Sequence, residues 1–332
     1  MTAERAARWF VIGLVLGLPL ALLIARWLNY GGPAVTELRG AVAEAGGWTP
    51  ADLAASAGEP LHLRLTSDDV VHGFAIGQSD WPAVDVKPGE VTETTITFDR
   101  PGRYTFYCTR WCGPNHWRMR GTIEVKGAPA SPAVQTPPLY VRLGLDIDAP
   151  HPAGAVPDRR PSAARGADLG VTIPAAYLRA VYYRAHSPAD IWRALRAEPF
   201  QRQLTDTEVW DLVAFVWRSN TSPKSLDEGK SLFAANCAAC HGEAGKGDGV
   251  MAASVESQAT PEIGHGPMKP ADFTDMTKML GASPALLQGK IVRGGMGTGM
   301  PYWGPIFTET QTWALVDYLW TFSLSSPLED LP

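Results

Sequence analysis

The chain has 332 residues, of which 45% are hydrophobic and 19% are charged, so it is long enough for two or three domains. This composition excludes both a disordered tail and a protein that lies wholly within a membrane. The formal net charge of −5 argues against a nucleic-acid partner, and four cysteines are too few for a disulfide-rich secreted scaffold.

The N-terminus carries an uncharged, mostly apolar run over residues 9–25, about the length that crosses a bilayer as a helix. Arg5 and Arg8 precede this run and Arg26 follows it, so the positive-inside rule favours a cytoplasmic N-terminus and an exported remainder. A cleaved signal peptide is the alternative, although the run is longer than a usual signal core and has no clear cleavage site. We therefore expect residues 1–30 to be a single-pass membrane anchor.

The next segments predict a stalk followed by a β-domain. Residues 31–58 are rich in glycine and alanine and are expected to form the stalk. Leucine alternates with polar residues from Leu61 to Leu65, and residues 92–98 and 122–125 are rich in strand-forming types. Because Pro-Gly turns separate these runs, residues 59–127 are expected to form a small antiparallel β-domain.

The second part of the chain has helical patterns. Residues 128–165 are rich in proline, alanine and glycine, which is typical of a linker. The segments 204–219 and 307–322 each open with a Thr-x-x-Glu or Thr-x-x-Gln capping box and align with matching threonines and tryptophans. This similarity predicts an internal repeat, with copies at 166–224 and 225–326; two unrelated amphipathic helices are the alternative.

A cluster of soft metal ligands lies in the β-domain. Cys108, Cys112, His116 and Met119 follow the pattern C-x3-C-x3-H-x2-M, and His72 ends the first strand signal. Thiolate, imidazole and thioether together suit copper, and a second thiolate allows two copper ions to be bridged, each with one imidazole. A zinc site made by the cysteines and one histidine, or a disulfide between the cysteines, remains an alternative. Zinc would leave His72 and Met119 without a role.

This motif and its setting resemble the binuclear CuA site of cytochrome oxidase subunit II over residues 61–125, including the Pro-Gly turn at 88–89 and the Gly-x-Tyr-x-Phe-x-Cys strand that ends at Cys108. The resemblance implies a cupredoxin β-barrel. The copper ligands that it implies are His72, Cys108, the backbone carbonyl of Arg110, Cys112, His116 and Met119.

The chain departs from that family in three ways. Arg110 stands where many family members have a glutamate that helps to hold Mg²⁺, so we expect this Mg²⁺ site to be absent. The aromatic-rich strand that usually precedes the copper segment is missing, and one membrane helix is predicted where many relatives have two. These differences leave the branch of the family open.

A second metal motif follows further along the chain. Cys237, Cys240 and His241 form C-x-x-C-H, the motif in which two thioethers attach haem c and the histidine binds the iron. A redox-active or zinc-binding cysteine pair is the alternative. With two cysteines given to copper and two to haem, all four cysteines of the chain are assigned.

The context of this motif resembles class I cytochrome c over residues 226–323. In that family a methionine before proline is the distal iron ligand, and this position is Met300. Met296 is the competing distal ligand, but no proline follows it. Methionine ligation favours electron transfer because it fills the sixth position of the iron. The copy at 166–224 has neither motif, so we expect it to be a haem-free, cytochrome-like segment that is a docking surface or a spacer.

The sequence thus predicts a multidomain chain with an N-terminal transmembrane helix, a cupredoxin β-barrel and an all-α cytochrome c-like region. No general-base pair, nucleophile or phosphate loop is evident, so the chain is not expected to be catalytic alone. By resemblance, it is an electron-entry subunit that passes electrons through haem c and CuA to a haem–copper catalytic subunit, most simply a terminal O2 reductase. The alternatives are a CuA-containing nitric oxide reductase and a free-standing electron carrier.

The same resemblance implies the partners and the location. The electron donor would be a cytochrome c, a small copper protein or a quinol-oxidising complex. The chain would cross the cytoplasmic membrane of a prokaryote once, with most of its residues on the periplasmic or extracellular side.

Overall fold

The computed structural model describes residues 2–29, 34–128, 136–199, 203–258, 269–295 and 298–325. The first element is helix α1, Ala3–Asn29, which is about 40 Å long at the usual helical rise. Its apolar window Ala7–Ile24 has a mean hydropathy of 2.2, and none of this window is buried. Within the described residues, α1 is the one helix that is long and apolar enough to cross a membrane.

The β-domain has two sheets. Its strands are β1 Val35–Gly40, β2 Trp48–Thr49, β3 Asp52–Ser56, β4 Pro60–Ser67, β5 His72–Ile76, β6 Val84–Val86, β7 Thr92–Thr97, β8 Gly102–Cys108 and β9 Arg120–Lys126. One sheet has the order β2-β1-β4-β7, and the other has the order β3-β9-β8-β5-β6. The fold is cupredoxin-like, as the resemblance implied.

Alternating burial builds the core between these sheets. Leu61, Leu63 and Leu65 on β4 are 8%, 1% and 0% exposed, which confirms the alternation expected there. They pack in one cluster with Phe74 and Phe106 from the opposite sheet. The core therefore lies between the sheets, and the copper motif follows directly from β8.

The prediction of a stalk over residues 31–58 was wrong for most of that segment. Strand β1 runs parallel to β4, and β3 runs parallel to β9, so this segment supplies edges to both sheets. Leu38 and Trp48 are 1% and 2% exposed in the domain core. The strands are short, and the many glycines and alanines around them obscured their pattern.

Eleven further helices follow within the described residues. They are α2 Leu139–Arg142, α3 Ala163–Asp168, α4 Ala180–Ala185, α5 Pro188–Ala197, α6 Asp206–Ser219, α7 Pro223–Asn236, α8 Ala238–His241, α9 Ala252–Gln258, α10 Met276–Met279, α11 Pro284–Arg293 and α12 Glu309–Leu319. We call the described residues of 136–219 the first helical half and those of 223–325 the second helical half. Both predicted capping boxes, Thr205 with Glu208 and Thr308 with Gln311, are confirmed.

The described part of the expected linker packs against the helices. Helix α2 contacts α11, and Ile147 is 3% exposed in the helical core. A Cβ added to Gly289 would lie 2.8 Å from the ring of Tyr140, which shows how closely α2 and α11 approach. The linker prediction for 128–165 therefore fails over the described residues from 136 onward, because apolar side chains among the prolines anchor the segment.

Each helical half contains one close helix crossing at a glycine. In the first half, a Cβ on Gly166 of α3 would lie 2.2 Å from the carbonyl oxygen of Asp211 on α6. In the second half, a Cβ on Gly229 of α7 would lie 2.1 Å from the carbonyl oxygen of Ala314 on α12. Glycine is required at both positions because the partner atom is backbone.

Candidate metal centres

The copper motif lies at one end of the five-stranded sheet. Strand β8 ends at Cys108, and β9 begins directly after Met119, so the loop between the strands carries the other ligand residues. The register pairs Phe74 of β5 with Cys108 of β8, which places His72, at the start of β5, beside this loop. Topology therefore brings together residues that are far apart in the chain.

Four sulfur and nitrogen donors meet here at short range. The Sγ atom of Cys108 lies 3.9 Å from Nδ1 of His72 and 3.9 Å from Sγ of Cys112. The Sδ atom of Met119 lies 3.2 Å from Sγ of Cys112, and the carbonyl oxygen of Arg110 lies 3.3 Å from Sγ of Cys108. The cysteines are unbonded, since a disulfide would need sulfur atoms about 2.0 Å apart.

His116 completes the set. It begins a short 3-10 helix before Met119 and is only 3% exposed. Neither Nδ1 nor Nε2 of its ring has a hydrogen-bond partner among the described residues, although both atoms are buried. A buried imidazole normally finds a partner, so a ring nitrogen that has none fits the role of a metal ligand in this donor set.

Asp69 orients the other imidazole. Its Oδ1 atom lies 2.8 Å from Nε2 of His72, so a proton on Nε2 leaves Nδ1 to face Cys108. The backbone amides of Val42 and Val70 donate to the same carboxylate at 2.7 and 2.6 Å. Asp69 therefore holds the ring of His72 in place through bonds to two segments of the chain.

The electrostatics of the cysteine pair favour the thiolate form of one member, Cys108. The hydrogen bond from the Cys112 thiol lowers the pKa of Cys108 to about 3, against the opposing effect of burial. The contact with Nδ1 of His72 lowers the pKa of Cys108 further. The thiolate is the form that binds a metal, so Cys108 is prepared as a ligand. The same hydrogen bond and burial raise the pKa of Cys112.

Arg110 has a different role from the glutamate that many family members carry at this position. Its Nε and Nη2 atoms donate to the two oxygens of Asp85 on β6, each at 2.9 Å. This two-point bond ties the cysteine loop to the edge of the sheet. The guanidinium thus braces the loop, while the carbonyl of the same residue faces the sulfur atom of Cys108.

The donor set as a whole fits a pair of copper ions better than zinc. Two cysteine sulfur atoms at 3.9 Å, two imidazoles, one thioether and one carbonyl form a donor set that suits copper. The contact between Met119 and Cys112 places the thioether inside the site, where a zinc site of two cysteines and one histidine would not use it. The individual ligand assignments stay predictions.

The haem motif lies where two helices meet. Helix α7 ends at Asn236, Cys237 links it to α8, and α8 contains Cys240 and ends at His241. Burial raises the pKa of Cys237 to about 12 and also raises that of Cys240, so both side chains are thiols rather than thiolates. Thiols that are held one helical turn apart and unbonded fit thioether attachment of haem.

His241 is held in the orientation that an iron ligand needs. Its Nδ1 atom lies 3.1 Å from the carbonyl oxygen of Ala271, which leaves Nε2 for the iron. Its ring stacks on Phe273 with a centroid distance of 4.7 Å. Burial lowers the pKa of His241, so the neutral ring that binds metals is favoured.

Met300 lies in the loop after α11. Its backbone amide donates to Oγ1 of Thr298 at 3.4 Å, and its carbonyl accepts from the amide of Gly295 at 3.1 Å. Gly299 precedes it with a φ of 81°, a value that favours glycine. The competing residue, Met296, lies outside the described residues. Met300 remains the predicted distal ligand.

The structure brings five of the six predicted copper donors into contact around the two cysteine sulfur atoms, and the sixth, His116, is buried in the same loop. It also adds residues that the motifs did not identify. Asp69 lies three residues before His72, a spacing that carries a weak signal for an orienting carboxylate. The carbonyl of Ala271 has no sequence signal, because any residue can supply it. Arg120, described below, was also missed.

The chain matches two protein families, each over one of these centres. Residues 52–126 match the periplasmic domain of cytochrome c oxidase subunit II, and residues 226–323 match cytochrome c. The chain thus combines a region that matches the periplasmic domain of cytochrome c oxidase subunit II with a region that matches cytochrome c.

The curated relatives agree with the first of these families. Two cytochrome c oxidase subunit 2 proteins of Thermus thermophilus are each 40% identical to this chain over 80 residues. The match covers 24% of this chain and 58% or 47% of the relative, so the chain spans about half the length of the curated relatives it matches.

Similar solved structures include a haem–copper terminal oxidase dimer, at 24% identity and a TM-score of 0.25 over 38% of this chain and 100% of that one. The periplasmic domain of subunit II of cytochrome oxidase (CoxB) of Bradyrhizobium japonicum is 19% identical, with a TM-score of 0.25, over 28% of this chain and 83% of that one.

Proposed function

We propose that this chain is the electron-entry subunit of a membrane-bound haem–copper oxidoreductase. Electrons enter at the haem site of the second helical half, pass to the copper site, and leave to a catalytic subunit in the membrane. The observation that carries this proposal is the union in one chain of the donor set around Cys108 and the C-x-x-C-H group that ends at His241. When bound, the two groups supply one-electron redox chemistry.

The chain's own residues contribute rigidity and exclusion of water. Asp69 fixes the ring of His72, and Arg110 braces the cysteine loop through Asp85. His72 is fully buried, so water has little access to that side of the site. A rigid, dry ligand set changes little when an electron arrives or leaves, which suits electron transfer more than substrate binding.

The apolar helix α1 supports a membrane location. We propose that it anchors the chain in the cytoplasmic membrane of a prokaryote and leaves both centres on the outer side, beside a catalytic partner. The partner is a terminal O2 reductase in the leading form of this proposal, because the matched relatives are named cytochrome c oxidase subunit 2. The donor would be a cytochrome c, a small copper protein or a quinol-oxidising complex.

A CuA-containing nitric oxide reductase is the second candidate. The observation in its favour is the pairing of Arg110 with Asp85, which puts a guanidinium where a terminal oxidase often has a Mg²⁺-binding glutamate. The catalytic subunit then differs, while the ligand assignments in this chain stay the same.

Gas consumption by the native complex separates these candidates. The complex would be purified from membranes through a tag on this chain, given reduced donor, and offered O2 and NO separately. Rapid O2 uptake with little NO turnover supports the terminal oxidase, and preferential NO reduction supports the second candidate. Uptake of neither gas, with no partner copurifying, would overturn both and favour a free-standing carrier.

Spectroscopy of the isolated chain tests the site assignment independently. We expect copper and haem iron in a ratio of two to one. The Met300→Leu variant should change the haem spectrum, because the sixth iron ligand is lost, and should leave the copper spectrum as it is. An unchanged haem spectrum would exclude Met300 as the distal ligand.

A further inference from the structure

The β-domain rests directly on the loop that carries Met300. The backbone amide of Gln78 donates to the carbonyl oxygen of Ile306 at 2.8 Å, and its side-chain amide donates to the carbonyl of Gly304. Gly77, one residue earlier, lies so close that a Cβ there would be 2.2 Å from the carbonyl oxygen of Pro305. The copper domain and the cytochrome domain thus meet through backbone contacts at this loop.

Arg120 crosses the same interface. Its Nη1 atom donates to the carbonyl oxygen of Tyr302 at 2.9 Å. Its guanidinium carbon lies 5.0 Å from the ring centroid of Trp303 and 5.8 Å from that of Tyr302. No described carboxylate forms an ion pair with Arg120, and its buried Nη2 has no hydrogen-bond partner in the described part of the chain. The aromatic rings of the other domain therefore take the place of a counter-ion.

The position of Arg120 relates the two centres to each other. It directly follows the predicted copper ligand Met119, and its backbone pairs with Tyr107, the neighbour of Cys108. Its hydrogen-bond partner, Tyr302, lies two residues after Met300. A single side chain thus joins the strand next to the copper donors to the loop next to the haem donor.

We propose that Arg120 is a positioning residue that docks the loop of residues 300–306 on the copper domain and holds the two cofactor sites at one fixed separation. Its significance rests on the proposed electron-transfer function. There, a haem held by Cys237, Cys240 and His241 would give up one electron, and a copper pair held around Cys108 would accept it, with no bond made or broken. In a docked pair, this step does not wait for the two domains to meet.

Hydrogen exchange of the full chain, loaded with haem and copper in detergent, tests the docking. The amide of Gln78 reports the interface, because its acceptor belongs to the other domain. The amide of Trp303 is the internal reference, because it donates to Ile291 within the cytochrome domain. In Arg120→Met we expect exchange at Gln78 to accelerate by at least about tenfold while Trp303 stays protected.

The matched control is Arg118→Met. Arg118 lies on the other side of Met119 and is exposed, so this variant removes the same charge at the same distance in sequence without touching the interface. We expect no change at Gln78. If the two variants behave alike, or if Gln78 exchanges in the unmodified chain as fast as an unprotected peptide, the proposal is wrong.

A second variant tests the interface at a different contact of the β-domain. In Gly77→Ala, the new methyl group meets the backbone of Pro305, so the domains must separate locally. We expect the same loss of protection at Gln78. If Arg120→Met fails to fold, Gly77→Ala still tests the docking of the two domains. Unchanged protection of Gln78 in Gly77→Ala would contradict the close contact between Gly77 and Pro305.

Electron transfer is measured separately, so that the two proposals can fail independently. After photochemical reduction of the haem, oxidation of the haem and reduction of the copper are followed by absorbance at several viscosities. We expect a rate independent of viscosity in the unmodified chain and a slower, viscosity-dependent rate in Arg120→Met. Protection of Gln78 without any electron transfer would overturn the proposed function and leave the docking intact.

Discussion

The two helical halves are built on the same plan but differ in what they enclose. Gly166 meets the carbonyl of Asp211 in the first half as Gly229 meets that of Ala314 in the second. In each half, the later helix opens with a threonine capping box. Only the second half has the cysteines and the histidine that can attach haem. The comparison indicates that the helix crossing does not depend on a haem motif.

From this comparison we propose that the two halves are the internal repeat predicted from the sequence. Helix α5 in the first half and α11 in the second are each capped by a serine that precedes proline at the first helical position, namely Ser187 and Ser283. Trp217 of α6 also donates to the carbonyl of Asp317 on α12 at 3.3 Å, so the two halves share one core. We interpret the first half as a haem-free cytochrome-like unit that packs against its haem-binding counterpart.

Removal of the haem attachment should produce the largest effect on hydrogen exchange, and this effect should differ between the two halves. In Cys237→Ala/Cys240→Ala, the haem is no longer held covalently, so the binding energy that stabilises the second half is lost. We expect hydrogen exchange to increase strongly in α8 and the loop around Met300, while α3 and α6 of the first half keep their protection. Equal loss in both halves would show that the first half depends on the haem as well.

The glycine crossings give the next largest effect, and here the halves should behave alike. A methyl group at Gly166 or Gly229 would overlap a backbone carbonyl, so each alanine variant should lower the free energy of unfolding by about 3 kcal/mol, the upper end for overpacking. Urea unfolding of the full chain, followed by tryptophan fluorescence, measures this. Gly144→Ala is a control for added bulk, because no atom lies within 4 Å of its added Cβ, although its φ of 65° adds some strain.

In the second half, the buried carboxylate of Asp317 should make the stability of the fold depend on pH. Asp211 in the first half accepts from Arg165 and Arg159, whereas burial in the second half raises the pKa of Asp317 to about 6 against a hydrogen bond from Ser225. A pKa that is higher in the folded chain stabilises the fold below about pH 4, and this stabilisation is lost as the pH rises through 6.

Asp317→Asn tests this difference. The amide carries no charge, so the variant should gain about 2–3 kcal/mol over the unmodified chain between pH 4 and pH 8. The change in urea midpoint at pH 4, 6 and 8 measures it. A parallel pH dependence in both chains would mean that Asp317 does not titrate as stated.

The sequence predicted the candidate metal-ligand residues of this chain better than the boundaries of its domains and strands. Cys108, Cys112 and His116 were identified from their spacing, because metal ligands must be particular residue types at particular separations. The strands between residues 35 and 56 were missed, since short edge strands rich in glycine and alanine carry little periodic signal. The contacts of Arg120 could not be inferred, because docking between domains depends on surfaces that only the folded chain brings together.

The helix caps give the smallest effect and the finest test of the repeat. Thr205 accepts from the amide of Glu208 at 3.3 Å, and Thr308 accepts from that of Gln311 at 3.2 Å, so the two caps are nearly equal in geometry. Thr205→Ala and Thr308→Ala should each lower the free energy of unfolding by about 1 kcal/mol. Their urea midpoints should shift together, since each cap satisfies the same backbone groups of one equivalent helix. A shift of the urea midpoint for Thr308→Ala alone would show that the first helical half does not unfold in the same cooperative transition as the second. The two halves would then be similar in structure but would not stabilise each other.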